Sequence, residues 1–198
     1  MIGQNGVNTP THMLIGAALF GRSDRPKATL AAFVGGLTPD LPMFLMVLVA
    51  ARFSCIPEHE VFGALYFSES WQRVFAIDHS FFVWTTLIVA GLVLRSPAVV
   101  AFAGAALAHA AVDFVTHNDD ARRQLWPFSD RVFRSPISYW DPAHYGEIVA
   151  PIEAGMALTL AALLLWRMDQ WWARGLTLLV SAFLLAPIVL TGGLHGMN

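Results

Sequence analysis

The chain has 198 residues, 56% of them hydrophobic and 13% charged, with a formal net charge of −2 and one cysteine. Soluble domains carry about a quarter charged residues, so the composition excludes an ordinary soluble fold and describes one membrane-embedded domain over residues 1–198. The small net charge without a basic stripe argues against a nucleic-acid partner, and the lone Cys55 excludes both an internal disulfide framework and a thiolate metal site.

Residues 1–10 are polar and lack the basic start of a signal peptide, so no cleavage is expected. Thr9-Pro10-Thr11-His12 reads as a helix start, with Thr9 or Thr11 as cap, leading into a short apolar run to Gly21. A turn carrying Arg22, Arg25 and Lys27 follows, then a second apolar piece over residues 28–37, broken at Thr38-Pro39-Asp40-Leu41-Pro42. Each piece is about ten residues, some 15 Å of helix and about half a bilayer. The pair is expected to form a short-helix hairpin that returns Asp40 to the level of His12. Residues 43–51 continue apolar, and residues 52–78 read as a mixed loop holding Cys55, Glu58, His59, Glu60 and Glu69.

His79-Ser80 opens an apolar run to Leu94, Arg95-Ser96-Pro97 makes a tight turn, and residues 98–115 return. This last run carries His109, Asp113 and His117 at i, i+4 and i+8, a spacing that puts all three on one helix face. A carboxylate between two imidazoles is a ligand set for zinc or a similar ion. The alternative is a polar face on which the histidines bond the acid, but three ionisable groups on a membrane-length apolar helix are costly and usually functional. Residues 118–147 form a long polar loop with Arg122, Arg123, Arg131 and Arg134, and two further apolar runs, 148–166 and 175–194, flank a turn carrying Arg167 and Arg174. The expected architecture is an all-α, polytopic membrane helical bundle of about four spanning helices plus the N-terminal hairpin.

If the runs alternate in direction, His12, Asp40, His79, His109, Asp113, His117, His144, Glu147 and Glu153 fall at one side of the membrane, opposite the short basic turns. His12 and Asp40 are ligands or helix caps. His79, at a helix start, keeps a free imidazole nitrogen. His117 is a ligand or a partner of one. Glu153 lies in an apolar run, where an unpaired carboxylate would be expensive. His59 and His195 read as solvated, and Trp166, Trp171 and Trp172 as an interfacial belt.

Thr9-Pro10-Thr11-His12, Gly36-Leu37-Thr38-Pro39-Asp40, Asp78-His79-Ser80, the His109–Asp113 pair, Pro127-Phe128-Ser129 and the run from Ser138 to Gly146 resemble, in order, the inner-membrane metal-dependent hydrolases typified by a LexA-regulated membrane protein (the YdjM-like family). The ligand pattern is also similar to that of zinc-dependent phospholipase C and related single-strand nucleases, which hold a zinc cluster with His, Asp, a helical His-xxx-Asp and a later His-xxx-Glu. The resemblance implies a bacterial inner-membrane hydrolase with metal ligands at His12, Asp40, His79, His109, Asp113 and His144. His144 and Glu147 are one residue too close for the last motif, so Glu153 competes for that place, and Ile77-Asp78 stands where many members carry an arginine.

The expected chemistry is hydrolysis by a metal-activated water, with zinc as the expected metal, two or more ions, Asp113 as bridge and catalytic group, and His117 as its catalytic neighbour. The loop arginines could clamp a phosphate or pair with Asp119, Asp120, Asp130 and Asp141. The expected substrate is a lipid or lipid-linked phosphoester at the bilayer. Basic residues in the short turns suggest a cytoplasmic far side and a periplasmic site. A structural metal site or an ion or proton transporter is the alternative, and ligands gathered toward one face speak against transport.

Overall fold

Small residues decide how this bundle packs. In the computed structural model, which describes residues 9–190 and side chains to residue 186, α1 (Thr9–Phe20), α2 (Pro26–Leu37) and α7 (Pro97–Thr116) meet through Ala and Gly. A Cβ on Gly35 would come within 2.1 Å of the Phe102 carbonyl oxygen, and one on Gly36 within 2.5 Å of the His12 carbonyl oxygen. Helices in lipid associate by such close backbone approach, because burying Leu against Leu gains nothing over burying it in acyl chains.

The order is α1, α2, a 3-10 turn at Thr38–Asp40, α3 (Leu41–Leu48) ending in a π-turn at Val49–Phe53, the single turn α4 (Glu58–Glu60) with a further π-turn at Val61–Leu65, and α5 (Glu69–Asp78). Then come α6 (Phe81–Val93), α7, a 3-10 turn at Pro142–His144, α8 (Gly146–Arg167) and α9 (Trp171–Leu190). The all-α bundle expected from the sequence is what the chain forms, and no strand occurs among the described residues. Four helical segments are long and apolar enough to cross a membrane: Pro26–Phe53, Glu69–Val93, Pro97–Thr116 and Gly146–Arg167. Their outer faces carry exposed Leu45, Leu48, Val89, Leu92 and Ile152, the surface a bilayer would cover.

The membership of these spans differs from the expectation: the last apolar run, read as a span, is not among the four, and two stretches nearer the start join them. Thr38-Pro39-Asp40-Leu41-Pro42 does not end a half-helix. Both prolines fall in the first turns of their segments, where no backbone donor is needed, and the chain runs on through the 3-10 turn into α3. Residues 69–78, read as loop, form α5, which meets α6 at His79-Ser80; the Ser80 hydroxyl caps α6 by accepting from Val83 N at 3.2 Å. The last apolar run contributes α9, which begins at Trp171; His195 lies outside the described residues.

The basic turns do gather at one end. Arg167 Nη2 donates to the carbonyls of Ala17, Ala18 and Gly21, satisfying the end of α1, and Ser23 bonds Asp169 at 2.6 Å. Arg22, Arg25 and Arg95 line one groove, and Trp166 and Trp171 stand exposed at the α8–α9 turn.

Candidate metal centre

Three of the four membrane-length segments deliver polar residues to the same level. Asp40, His79, His109 and Asp113 lie 12–16 residues from the basic-turn end of their segments, roughly 18–24 Å at 1.5 Å per residue. They therefore sit inside the spans, Asp40 and His79 near the middle and His109 and Asp113 beyond it, rather than at the span ends.

One oxygen of Asp113, Oδ2, lies 3.2 Å from His79 Nε2 and 3.3 Å from His109 Nε2; Asp40 Oδ1 lies 3.5 Å from His109 Nε2 and 4.0 Å from His79 Nε2. Donor atoms of these four buried residues all lie within 4.8 Å of one another. A tetrahedral ion with bonds of about 2.1 Å has ligand–ligand edges of about 3.4 Å, so the set fits zinc or an ion of similar size.

The outer nitrogens decide how the rings point. His109 Nδ1 bonds the Gly36 carbonyl at 2.8 Å, and His79 Nδ1 bonds the Phe75 carbonyl at 3.1 Å. A carbonyl can only accept, so each Nδ1 carries a proton and each Nε2 faces the centre, where the neutral ring offers its lone pair. Both Nε2 atoms are buried without a hydrogen-bond partner. Each such atom costs about 1–3 kcal/mol if nothing binds it. This donor set could hold a metal ion.

Asp113 also reaches the remaining histidines. Its Oδ1 is 2.9 Å from His12 Nε2 and 3.7 Å from His117 Nδ1, so one carboxylate touches four imidazoles. His12 stacks on His109 with ring centroids 3.8 Å apart. His117 is not on the helix face: α7 ends at Thr116, and His117 is its extended C-cap residue, with Nε2 3.6 Å from Asp120 and its ring packed on Tyr139. Thr9 donates its hydroxyl to Asp40 rather than capping α1.

His144 does not join the cluster. Its Nδ1 is bonded to Asp141 Oδ2 at 2.6 Å, the i−3 acid that caps the same 3-10 turn, and that local pairing holds it away. Glu147 is exposed in the first turn of α8. Glu153 lies outside the four-residue set, its Oε1 buried without a partner. His59 is exposed, as expected.

A cavity of about 90 Å³ opens onto the cluster, lined by Thr9, His12, Asp40, Met43, Phe44, Tyr66, Asp113, His117, Asp120, Arg122 and Tyr139. The loop after α7 closes one side of it, folded back by Ser135 N–H on the His117 carbonyl at 2.9 Å and Tyr139 N–H on the Thr116 carbonyl at 3.3 Å. Of the lining residues, Met43, Phe44 and Tyr66 gave no signal of their own in the sequence; Tyr66 sat in a stretch that read as loop. Comparison with family models, curated proteins and solved structures finds no match. What the chain does must be argued from this centre.

Proposed function

We propose that the protein is a membrane-embedded metal-dependent hydrolase acting on a phosphoester of a lipid or lipid-linked substrate. The observation that carries this reading is the cavity of about 90 Å³ against Asp40 and Asp113. A purely structural ion needs no such space, whereas a catalytic one needs an open position for water and substrate. The exposed apolar side chain of Phe44 at the cavity and the apolar faces of α3 around it suit an amphiphile whose polar head enters while its chains stay in lipid.

Asp40, His79, His109 and Asp113 would hold the ion, and His12 orders the second oxygen of Asp113. A bound zinc-like ion supplies a water of lowered pKa and a Lewis acid for the scissile oxygen. His117, between Asp113 and Asp120, is placed to take a proton from the cavity and to hold it beside two carboxylates. The cluster's depth and the covering loop keep bulk water away, which strengthens each of these interactions. Asp113, touched by four histidines, is the natural bridge should a second ion bind on the His12–His117 side.

The resemblance of the motifs from His12 to Glu153 to the YdjM-like inner-membrane hydrolases supports the same reading, including a bacterial inner-membrane location. The basic turns at the opposite end favour a periplasmic site. A structural site is the second reading, because four protein donors are the usual complement of a closed zinc site. Turnover of a panel of phosphoesters and carboxylic esters in liposomes, with and without chelator, separates the two. Chelator-sensitive phosphoester cleavage is expected; no turnover of any substrate by fully metal-loaded protein would leave the structural site standing.

A further inference from the structure

We propose that Arg122 is the anion-positioning residue of this centre and that the group it holds is a tetrahedral oxyanion, a phosphoryl group of the substrate. The inference rests on the hydrolase reading above and narrows it to one residue and one ligand chemistry.

The four loop arginines are equivalent in the sequence and very different in the fold. Arg123 is clamped on Glu69, with Nη1 and Nη2 at 3.0 and 2.7 Å from its two carboxylate oxygens. Arg134 is an exposed arginine 3.8 Å from Asp119, and Arg131 is also exposed. Arg122 alone of the four is buried, at 3% exposure, and it lines the cavity. Among the described residues no carboxylate oxygen comes within 4 Å of its guanidinium. Its Nη1 donates to the Asp120 carbonyl at 2.8 Å, its Nη2 to the Tyr66 hydroxyl, and its Nε has no partner.

A buried cation without a paired anion is expensive, and the site must offset it. Asp113 and Asp120, which line the same cavity, can do so through space. A divalent ion at the four donors takes up the charges of Asp40 and Asp113, leaving Arg122 as a positive group in a small polar cavity whose remaining carboxylate, Asp120, is shared with His117 at 3.6 Å. The guanidinium plane is fixed by the rings it covers, its Cζ 5.1 Å from the Tyr66 centroid and 4.8 Å from that of Phe75. A fixed, planar, always-charged fork beside a metal is the arrangement that selects phosphate over a neutral ester carbonyl. The cavity of about 90 Å³ has room for several waters or one phosphoryl group, and none for the remainder of a lipid.

The test is calorimetric titration of the purified protein in detergent with inorganic phosphate, before and after metal loading, with metal content measured in parallel. Wild-type protein should bind phosphate more tightly when loaded. Arg122→Gln should weaken that binding at least tenfold while metal content stays at the wild-type level, and Arg122→Lys should recover part of it. Asp120→Asn, which removes a negative charge from the cavity, should tighten it. Should Arg122→Gln fail to fold, Tyr66→Phe, which frees Nη2 but keeps the charge, is expected to change phosphate affinity severalfold at constant metal content. Phosphate affinity unchanged in Arg122→Gln, or in Tyr66→Phe where that variant stands in, overturns the proposal. Loss of metal from folded Arg122→Gln also overturns it, making Arg122 a counter-ion of the cluster. Wild-type protein that takes up no metal sinks the hydrolase reading instead, and phosphate binding to that metal-free protein still reports on Arg122.

Discussion

His109 hangs from a backbone atom of another helix: its Nδ1 is bonded at 2.8 Å to the carbonyl of Gly36, on the helix that packs against its own. The same glycine is where α1 comes closest, since a Cβ there would lie 2.5 Å from the His12 carbonyl oxygen. One residue without a side chain thus fixes the tautomer of one imidazole and the approach of another.

Gly36→Ala should therefore damage the centre without touching a ligand. Overpacking of this kind costs about 1–3 kcal/mol, and here it falls on the backbone that orients two histidines. Metal affinity, measured by competition with a chromogenic chelator, is expected to fall at least tenfold. Gly155→Ala, where an added Cβ meets nothing within 4 Å, should leave affinity unchanged and stabilise α8 by up to about 1 kcal/mol. Equal affinities in the two variants would break the link between Gly36 and the centre.

Protein purified without chelator should carry at least one equivalent of zinc, manganese or iron by elemental analysis. Asp113→Asn and His109→Ala should lose it. His144→Ala should keep it, because that ring is engaged with Asp141. Retention of metal by Asp113→Asn, or its loss from folded His144→Ala, would contradict the ligand set.

Activity should divide the histidines in the same way. His117→Ala is expected to lower kcat on a chelator-sensitive phosphoester about 10²–10⁴-fold, the usual range for loss of a proton-transfer group, while metal stays bound. His59→Ala, on an exposed turn, should stay within a few-fold of the parent. A His59 effect as large as that of His117 would remove His117 from the chemistry.

The arrangement of ends can be checked by thiol labelling of sealed vesicles. Exposed Cys55 follows the span that begins at Pro26, so it belongs on the same side as the loop after α7. An impermeant reagent should reach Cys55 from one side. In a Cys55→Ser background, Asp119→Cys and Tyr145→Cys should react from that side and Lys27→Cys only from the other. Joint labelling of Lys27→Cys and Asp119→Cys would refute the layout.

Much of this was readable from residue spacing. His109 and Asp113 stood out because an apolar helix has no structural use for ionisable groups four residues apart, and the four-span, all-α class followed from composition. What spacing could not show was where a proline would fall within a helix. Pro39 and Pro42 look like breakers, yet each occupies a first turn, so Asp40 ended up inside a span rather than at its end. Amphipathic α5 was hidden by its mixed composition, which turns Phe75 inward and leaves Glu69 and Arg73 outside. His144 looked like a ligand because the run from Ser138 to Gly146 does not say, as a sequence, that its own Asp141 takes the ring. Arg122 could not be told from Arg123 in the sequence, because the difference is a Glu69 more than fifty positions away.

The contact between His12 and Asp113 also sets an order of events during synthesis. The two are separated by 101 positions (113 − 12), which at about 5–20 residues per second amounts to roughly 5–20 s of translation. Through that interval α1, at 12 residues too short to cross a bilayer by itself, holds an imidazole with no acid to meet. The short first helix can take its final seat only after α7 has entered the membrane. Insertion of this protein thus ends by returning to its beginning, and a ribosome stalled before residue 113 should leave α1 open to water-soluble reagents.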